Sequence, residues 1–227
     1  MKYLLIVLLF LLAPMVRAQA VRVELGAGYN LYHPVVDGTW YQRGEPHKLQ
    51  LSSPSFYLGF TGTAYEGEHF GVNWHAGYLD LGQLSASCYC LIDDADYSSK
   101  GHRRIREPQY PNAHYSGSGK VRGVLVMVEP YVLWHGYRIG AELGVLPYRP
   151  RYDEIVTDWR GPGTNAPLSG AIHTSHALQR GTMVGLSIGR GAWSVAYEFY
   201  RLPMLSNRSV APPLWTAAHQ VMFRFAW

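Results

Sequence analysis

Four groupings in this chain have residue types that can do chemistry. His173-Thr174-Ser175-His176 sets an imidazole and a hydroxyl two residues apart. That pairing activates a serine nucleophile when a base is held within hydrogen-bond reach. No Gly-x-Ser-x-Gly elbow surrounds Ser175, so His173 and Ser175 read as solvated loop residues, with a catalytic pair as the alternative. Cys88-Tyr89-Cys90 holds the only two thiols. Extended residues two apart place their Cα atoms about 6.5 Å apart, at the outer limit for a disulfide, so a staple between Cys88 and Cys90 needs a local kink. With His102 and His114 the spacing matches no common zinc pattern, and no metal or cofactor is expected.

The third grouping is a set of charges embedded in otherwise small or apolar stretches: Arg22, Glu24, Glu129, Arg138, Glu142, Glu198 and Arg224. If buried, such charges must be paired, because an isolated ion away from water is costly. The fourth is basic. Asp93, Asp94 and Asp96 are followed by Lys100, His102, Arg103, Arg104 and Arg106, with Lys120, Arg122 and Arg180 further on. Guanidinium and ammonium groups of this kind suit phosphate oxygens. Ser118-Gly119-Lys120-Val121 is not a phosphate loop, lacking the upstream Gly and the Ser/Thr after Lys.

These groups must be positioned by strands. Successive side chains of a strand point to opposite faces, so period-two alternation is the test. Eight segments pass it. They run through Val21–Leu31, Phe56–Phe60, Phe70–Tyr78, Val124–Val132, Tyr137–Val145, Thr182–Ile188, Trp193–Phe199 and Trp215–Trp227. The fourth, containing GVLVMV, is apolar on both faces and takes its parity from Glu129. Pro130 lacks a ladder donor and is expected at that strand's end. Tight links join segments two and three (Glu66-Gly67-Glu68), four and five (Trp134-His135-Gly136) and six and seven (Arg190-Gly191). The other links are long, covering about 33–53, 83–118, 149–176 and 203–213. Strict alternation of short and long links fits an up-and-down meander.

The first twenty residues, MKYLLIVLLFLLAPMVRAQA, read as an export signal peptide: Lys2, an apolar run, then small residues. Cleavage after Ala18 or Ala20 leaves 21–227 as one domain. The apolar run falls short of the roughly 20 residues a spanning helix needs. Without Lys2 and Arg17 the formal charge drops from +4 to +2, and no basic stripe with interleaved aromatics points to nucleic acid. The chain is rich in Tyr (17), Trp (7) and Gly (24) at only 16% charge, a composition suited to strands.

One face of the segments is apolar. The other is mostly Gly, Ser, Thr, Ala and Asn, too sparsely charged for a solvated surface. The expected arrangement therefore puts the apolar face outward against lipid, with small residues and neutralised ions filling a narrow interior. Tyr29, Trp74, Tyr78, Trp134, Tyr137, Trp193, Trp215 and Trp227 fall near segment ends, as interfacial girdles do.

Signal peptide, eight alternating strands, alternating link lengths and an aromatic terminus together resemble the small eight-stranded outer-membrane barrels of Gram-negative bacteria, the OmpA/OmpX-like class. The resemblance implies an all-β fold: one eight-stranded antiparallel up-and-down transmembrane barrel with three short periplasmic turns and four long extracellular loops. It implies Sec-type export to the outer membrane. It makes Val221, Phe223, Phe225 and Trp227 the terminal signal read by the barrel-assembly machinery. Lipopolysaccharide becomes the expected partner of Arg103, Arg104, Arg106, Lys120, Arg122 and Arg180, and a monomer is expected. The implied role is structural or surface interaction (adhesion, envelope integrity or recognition through loops) rather than catalysis. The alternative is an outer-leaflet lipid A acyl hydrolase or transferase. Lipid A 3-O-deacylases share the His-x-Ser spacing of His173 and Ser175, but here no Asn follows the Ser and no Glu is suitably placed in the next strand. A narrow pore is the third reading.

Overall fold

A computed structural model of the protein describes residues 21–33, 48–90, 113–159, 168–175, 177–202 and 217–227. The strands are β1 (Arg22–His33), β2 (Lys48–Gln50), β3 (Ser52–Glu66), β4 (Phe70–Cys90), β5 (Ala113–Trp134), β6 (Tyr137–Trp159), β7 (Leu168–Ser175), β8 (Gln179–Arg190), β9 (Trp193–Arg201) and β10 (Ala217–Ala226).

Eight of them close a ring. β1, β3, β4, β5, β6, β8, β9 and β10 pair antiparallel in that order, and β10 pairs back onto β1. The seam runs from Glu24↔Ala226 to His33↔Ala217, and Val23 and Trp227 exchange backbone hydrogen bonds of 3.0 and 3.1 Å. Closure leaves no free edge in the ring, so every ladder group has a neighbouring strand.

The turns follow from local sequence. His135 (φ 49°) and Gly136 (φ 77°) both take the left-handed conformation that a two-residue hairpin linking β5 to β6 requires. Gly191 (φ 60°) does the same between β8 and β9. These turns, the β3–β4 link and the Glu24↔Ala226 end of the β1–β10 seam lie at one end of the barrel.

Two of the expected long loops are largely sheet. β4, β5 and β6 continue past the level where β1, β8, β9 and β10 stop, so much of 83–118 and 149–176 is strand. β2 lies along β4 (Lys48↔Ser87 to Gln50↔Ser85), and β7 lies along β6 (Arg151↔Ser175 to Trp159↔Leu168). A five-stranded sheet, β2–β4–β5–β6–β7, thus rises from one side of the ring. These extensions carry polar and mixed residues on both faces, so no period-two alternation marks them in the sequence. Pro130 also departs from expectation: it sits inside β5, where the β5–β6 ladder is interrupted between Val128↔Leu143 and Tyr131↔Gly140, rather than at the strand's end.

Parity decides inside from outside. Trp193, Tyr197 and Phe223 are 49%, 50% and 47% exposed, and Val124, Val126 and Val128 likewise face outward. Inward positions are almost all buried. The interior corrects the expectation of glycine, serine and ions. Its buried charges lie in the turn-side half. The loop-side half is filled by Tyr32, Leu81, Leu84, Leu125, Leu146 and Tyr200, together with Leu79, Val121, Met127, Tyr148, Met183 and Leu202.

Candidate functional site

The turn-side lumen holds two linked clusters. In the first, Glu129 of β5 is the hub. Its Oε2 accepts from Asn73 Nδ2 (2.8 Å) and lies 3.4 Å from His75 Nε2. Its Oε1 accepts from Ser187 Oγ (2.5 Å) and lies 3.5 Å from Arg138 Nε. The other ring nitrogen, His75 Nδ1, is 2.8 Å from Glu24 Oε2. An imidazole held between two carboxylates is satisfied at both nitrogens only when both carry a hydrogen. Gly140 makes this packing possible: a Cβ there would fall 2.7 Å from the Glu129 side chain and 2.6 Å from Ser187 Oγ.

In the second cluster Arg224 of β10 donates to both oxygens of Glu142 (2.6 and 3.3 Å) and pairs with Glu198. Tyr200 donates its hydroxyl hydrogen to Glu198 Oε2 at 2.5 Å. The Arg224 guanidinium lies 6.0 Å from the centre of the Tyr57 ring. Glu24, Glu129, Glu142, Glu198, His75 and Arg224 are all buried. Charges this far from water persist only because each has an opposite partner. Six of the seven expected network residues meet here. Arg22, half-buried at the rim, makes none of these contacts. The chemistry this arrangement supports is lumen closure: the pairs fill the cross-section and the apolar layer above seals it.

His75 and Asn73 were not among the expected network residues. They alternate on the inward face of β4, so their orientation was readable, but Glu24 and Glu129 are distant in sequence.

The outer wall carries a different feature. Outward-facing Lys120 and Arg122 on β5, Arg149 and Arg151 on β6, Arg180 on β8 and Arg201 on β9 lie on the loop side of the outward positions Val124, Pro147, Thr182 and Phe199. Two directly opposed pairs have like charge: Lys120↔Arg151 and Arg122↔Arg149. Asp80 Oδ2 accepts from Arg122 Nε (2.7 Å), and Asp153 Oδ1 from Arg151 Nε (3.1 Å). At the matching level on β1 and β10 stand Leu31, His33, Ala217 and His219, with no Lys or Arg. Thus the rim is basic on one side among the described residues. Lys120, Arg122 and Arg180 are the basic residues expected from the sequence; Arg149, Arg151 and Arg201 join them only through strand register.

The remaining expected residues are placed as follows. Val221, Phe223, Phe225 and Trp227 face outward near the turn end, where Trp193 packs on Phe223 and Phe225 with ring centres 4.9 and 4.2 Å apart. Cys88 and Cys90 lie on the extended part of β4, opposite Tyr115 and Ala113. His173 and Ser175 lie on β7 opposite Asp153 and Arg151, in a strand rather than at a loop's end. Arg103, Arg104, Arg106, Trp215 and residues 1–20 lie outside the described residues.

No family model matches the chain, and no curated protein matches it. Among solved structures, two of Ail, the attachment invasion locus protein of Yersinia pestis, align with it, one in complex with the heparin analogue sucrose octasulfate. Identities are 10% and 12% and TM-scores 0.38 and 0.37, each covering 91% of this chain and 97% of that one. The transport unit of the autotransporter AIDA-I from Escherichia coli aligns at 9% identity and TM-score 0.25, covering 93% of this chain and 91% of that one. Overlaps this loose carry no weight beside the closed ring of strands itself.

Proposed function

We propose that this protein is an outer-membrane barrel whose role is surface interaction, with the sheet β2–β4–β5–β6–β7 as the part that meets a partner. The observation that carries the reading is the contrast between the two ends. One end finishes in tight turns; the other sends β4, β5 and β6 well beyond the ring. From Tyr148 to Trp159, β6 adds about 35 Å of strand at roughly 3.3 Å per residue.

Membrane placement is supported by the wall. Apolar outward positions on β6 run from Tyr137 to Pro147. That is about 33 Å of strand, or roughly 25 Å in height at a 40° tilt, the height of the lipid-facing band of such barrels. An apolar surface encircling a whole domain is far larger than a soluble protein exposes. With lipid outside, the turn end faces the periplasm and the sheet faces outward from the cell. Insertion by the barrel-assembly machinery, export through the 1–20 leader and a monomeric state belong to the same reading. A sealed lumen favours an anchor over a pore.

The test compares cells bearing the full chain with cells bearing a version in which residues 86–115 and 152–175 are each replaced by a short turn. Both proteins should show heat-modifiable gel migration after membrane extraction, and only the full chain should confer binding to cultured host cells. Equal binding by both removes the projecting sheet as the interaction surface. No heat shift in either removes the membrane barrel. A change in lipid A mass on expression would move the assignment to lipid modification.

A further inference from the structure

We infer that Cys88 and Cys90 form a redox latch on the projecting sheet. The reduced pair lets the outer end of β4 join β5, and a disulfide between the two releases it. The inference deepens the role proposed for that sheet and rests on its outward placement, because thiols are not kept reduced outside the cell.

The backbone carries the argument. The β4–β5 register slips once, between Asp80↔Arg122 and Gln83↔Lys120, where Gly82 takes φ +79°. Beyond the slip it runs unshifted to Cys90↔Ala113, with Cys88 opposite Tyr115 and Tyr89 opposite His114. Positions 88 and 90 therefore share one face of an unbroken strand. On such a strand the Cβ atoms of residues two apart are separated as widely as their Cα atoms, by about 6.6 Å. A disulfide needs its Cβ atoms about 3.5–4.5 Å apart. No rotamer closes that gap, since the backbone alone fixes where a Cβ lies. Disulfide and strand exclude each other.

The chain offers no other internal disulfide, because it contains only these two cysteines. Their position is also where the sheet yields most easily. At 85–87, β4 is held by β2 on one side and by β5 on the other. At 88–90, only β5 pairs with it among the described residues. A ladder end held from one side opens more readily than a strand held from both.

The chemistry is thiol–disulfide exchange with a small disulfide. One thiolate attacks a sulfur of the oxidant, which forms a mixed disulfide and releases one thiol. The second thiolate displaces the remaining thiol and closes the internal bond. The two protons lost by the cysteines end on the two thiols released, and the oxidant takes up the two electrons. Excess thiol reverses the exchange and lets the strand re-form.

The test uses the full-length mature protein folded in lipid vesicles, with backbone amide exchange read by mass spectrometry. Wild type and C88S/C90S are compared in dithiothreitol and in oxidised glutathione. In dithiothreitol both should protect 86–90 and 113–116 equally. In oxidised glutathione the wild type should lose two hydrogens by mass and gain no glutathione. Its 86–90 and 113–116 amides should then exchange about tenfold faster, while 70–79 stay unchanged. Dithiothreitol should restore the slow exchange, and the double variant should respond to neither reagent. An internal disulfide with unchanged exchange overturns the latch. So does a lasting glutathione adduct or a disulfide-linked dimer in place of the internal bond, and so does faster exchange in the oxidised double variant. Amide exchange is read without any partner, so a protein that fails the cell-binding test can still show the latch. Absence of heat-modifiable migration in the wild type is a failure of the membrane reading instead.

Discussion

The two halves of the lumen fill the same narrow cylinder by opposite means. Toward the turns, Glu24, Glu129, Glu142, Glu198, His75 and Arg224 interlock through charge. Toward the sheet, Leu81, Leu84, Leu125 and Tyr200 do so through apolar bulk. Both layers are nearly free of solvent. Their sensitivities differ, because an ion deprived of its partner keeps its full desolvation penalty, whereas a shortened apolar side chain loses only its own contacts and leaves a void.

The largest test of that contrast is Arg224→Met. It strands Glu142 and Glu198 together, and the barrel should lose about 3–5 kcal/mol in urea unfolding from lipid vesicles. Replacing Glu142 and Glu198 by Leu in the same chain should recover most of that loss. If the single and triple variants are equally unstable, the turn-side layer depends on shape and not on charge. Next comes Leu125→Ala in the apolar layer, expected to cost about 3 kcal/mol by the same measurement, with no second-site recovery from removing a charge. The smallest effect belongs to the outer rim. Arg151→Ala breaks an exposed pair with Asp153 and removes a like-charge neighbour of Lys120, so stability should stay within about 0.5 kcal/mol of wild type. A loss above about 1 kcal/mol would mean that the rim is part of the fold's support.

The wall was readable from the chain. Val124, Val126 and Val128 alternate with larger inward residues, and Trp193, Tyr197 and Phe223 keep their parity through to the folded barrel. Periodicity is a local property, so local sequence carries it. The candidate sites were readable only in part. Glu129 and Arg224 marked themselves as charges among small neighbours, but nothing local joins Glu129 to His75 or Arg224 to Glu142. Arg149 and Arg151 looked like residues of a loop because the extension of β6 lacks alternation, and their pairing with β5 is a matter of register.

What the sequence alone determined is which face each residue takes, since strand geometry forces a period of two and Gly136 and Gly191 mark where the chain must turn. Tertiary structure alone decided which residues share a level. Ring closure and the slip at Gly82 set the stagger between strands, and stagger is what brings carboxylate to imidazole inside and guanidinium beside ammonium outside.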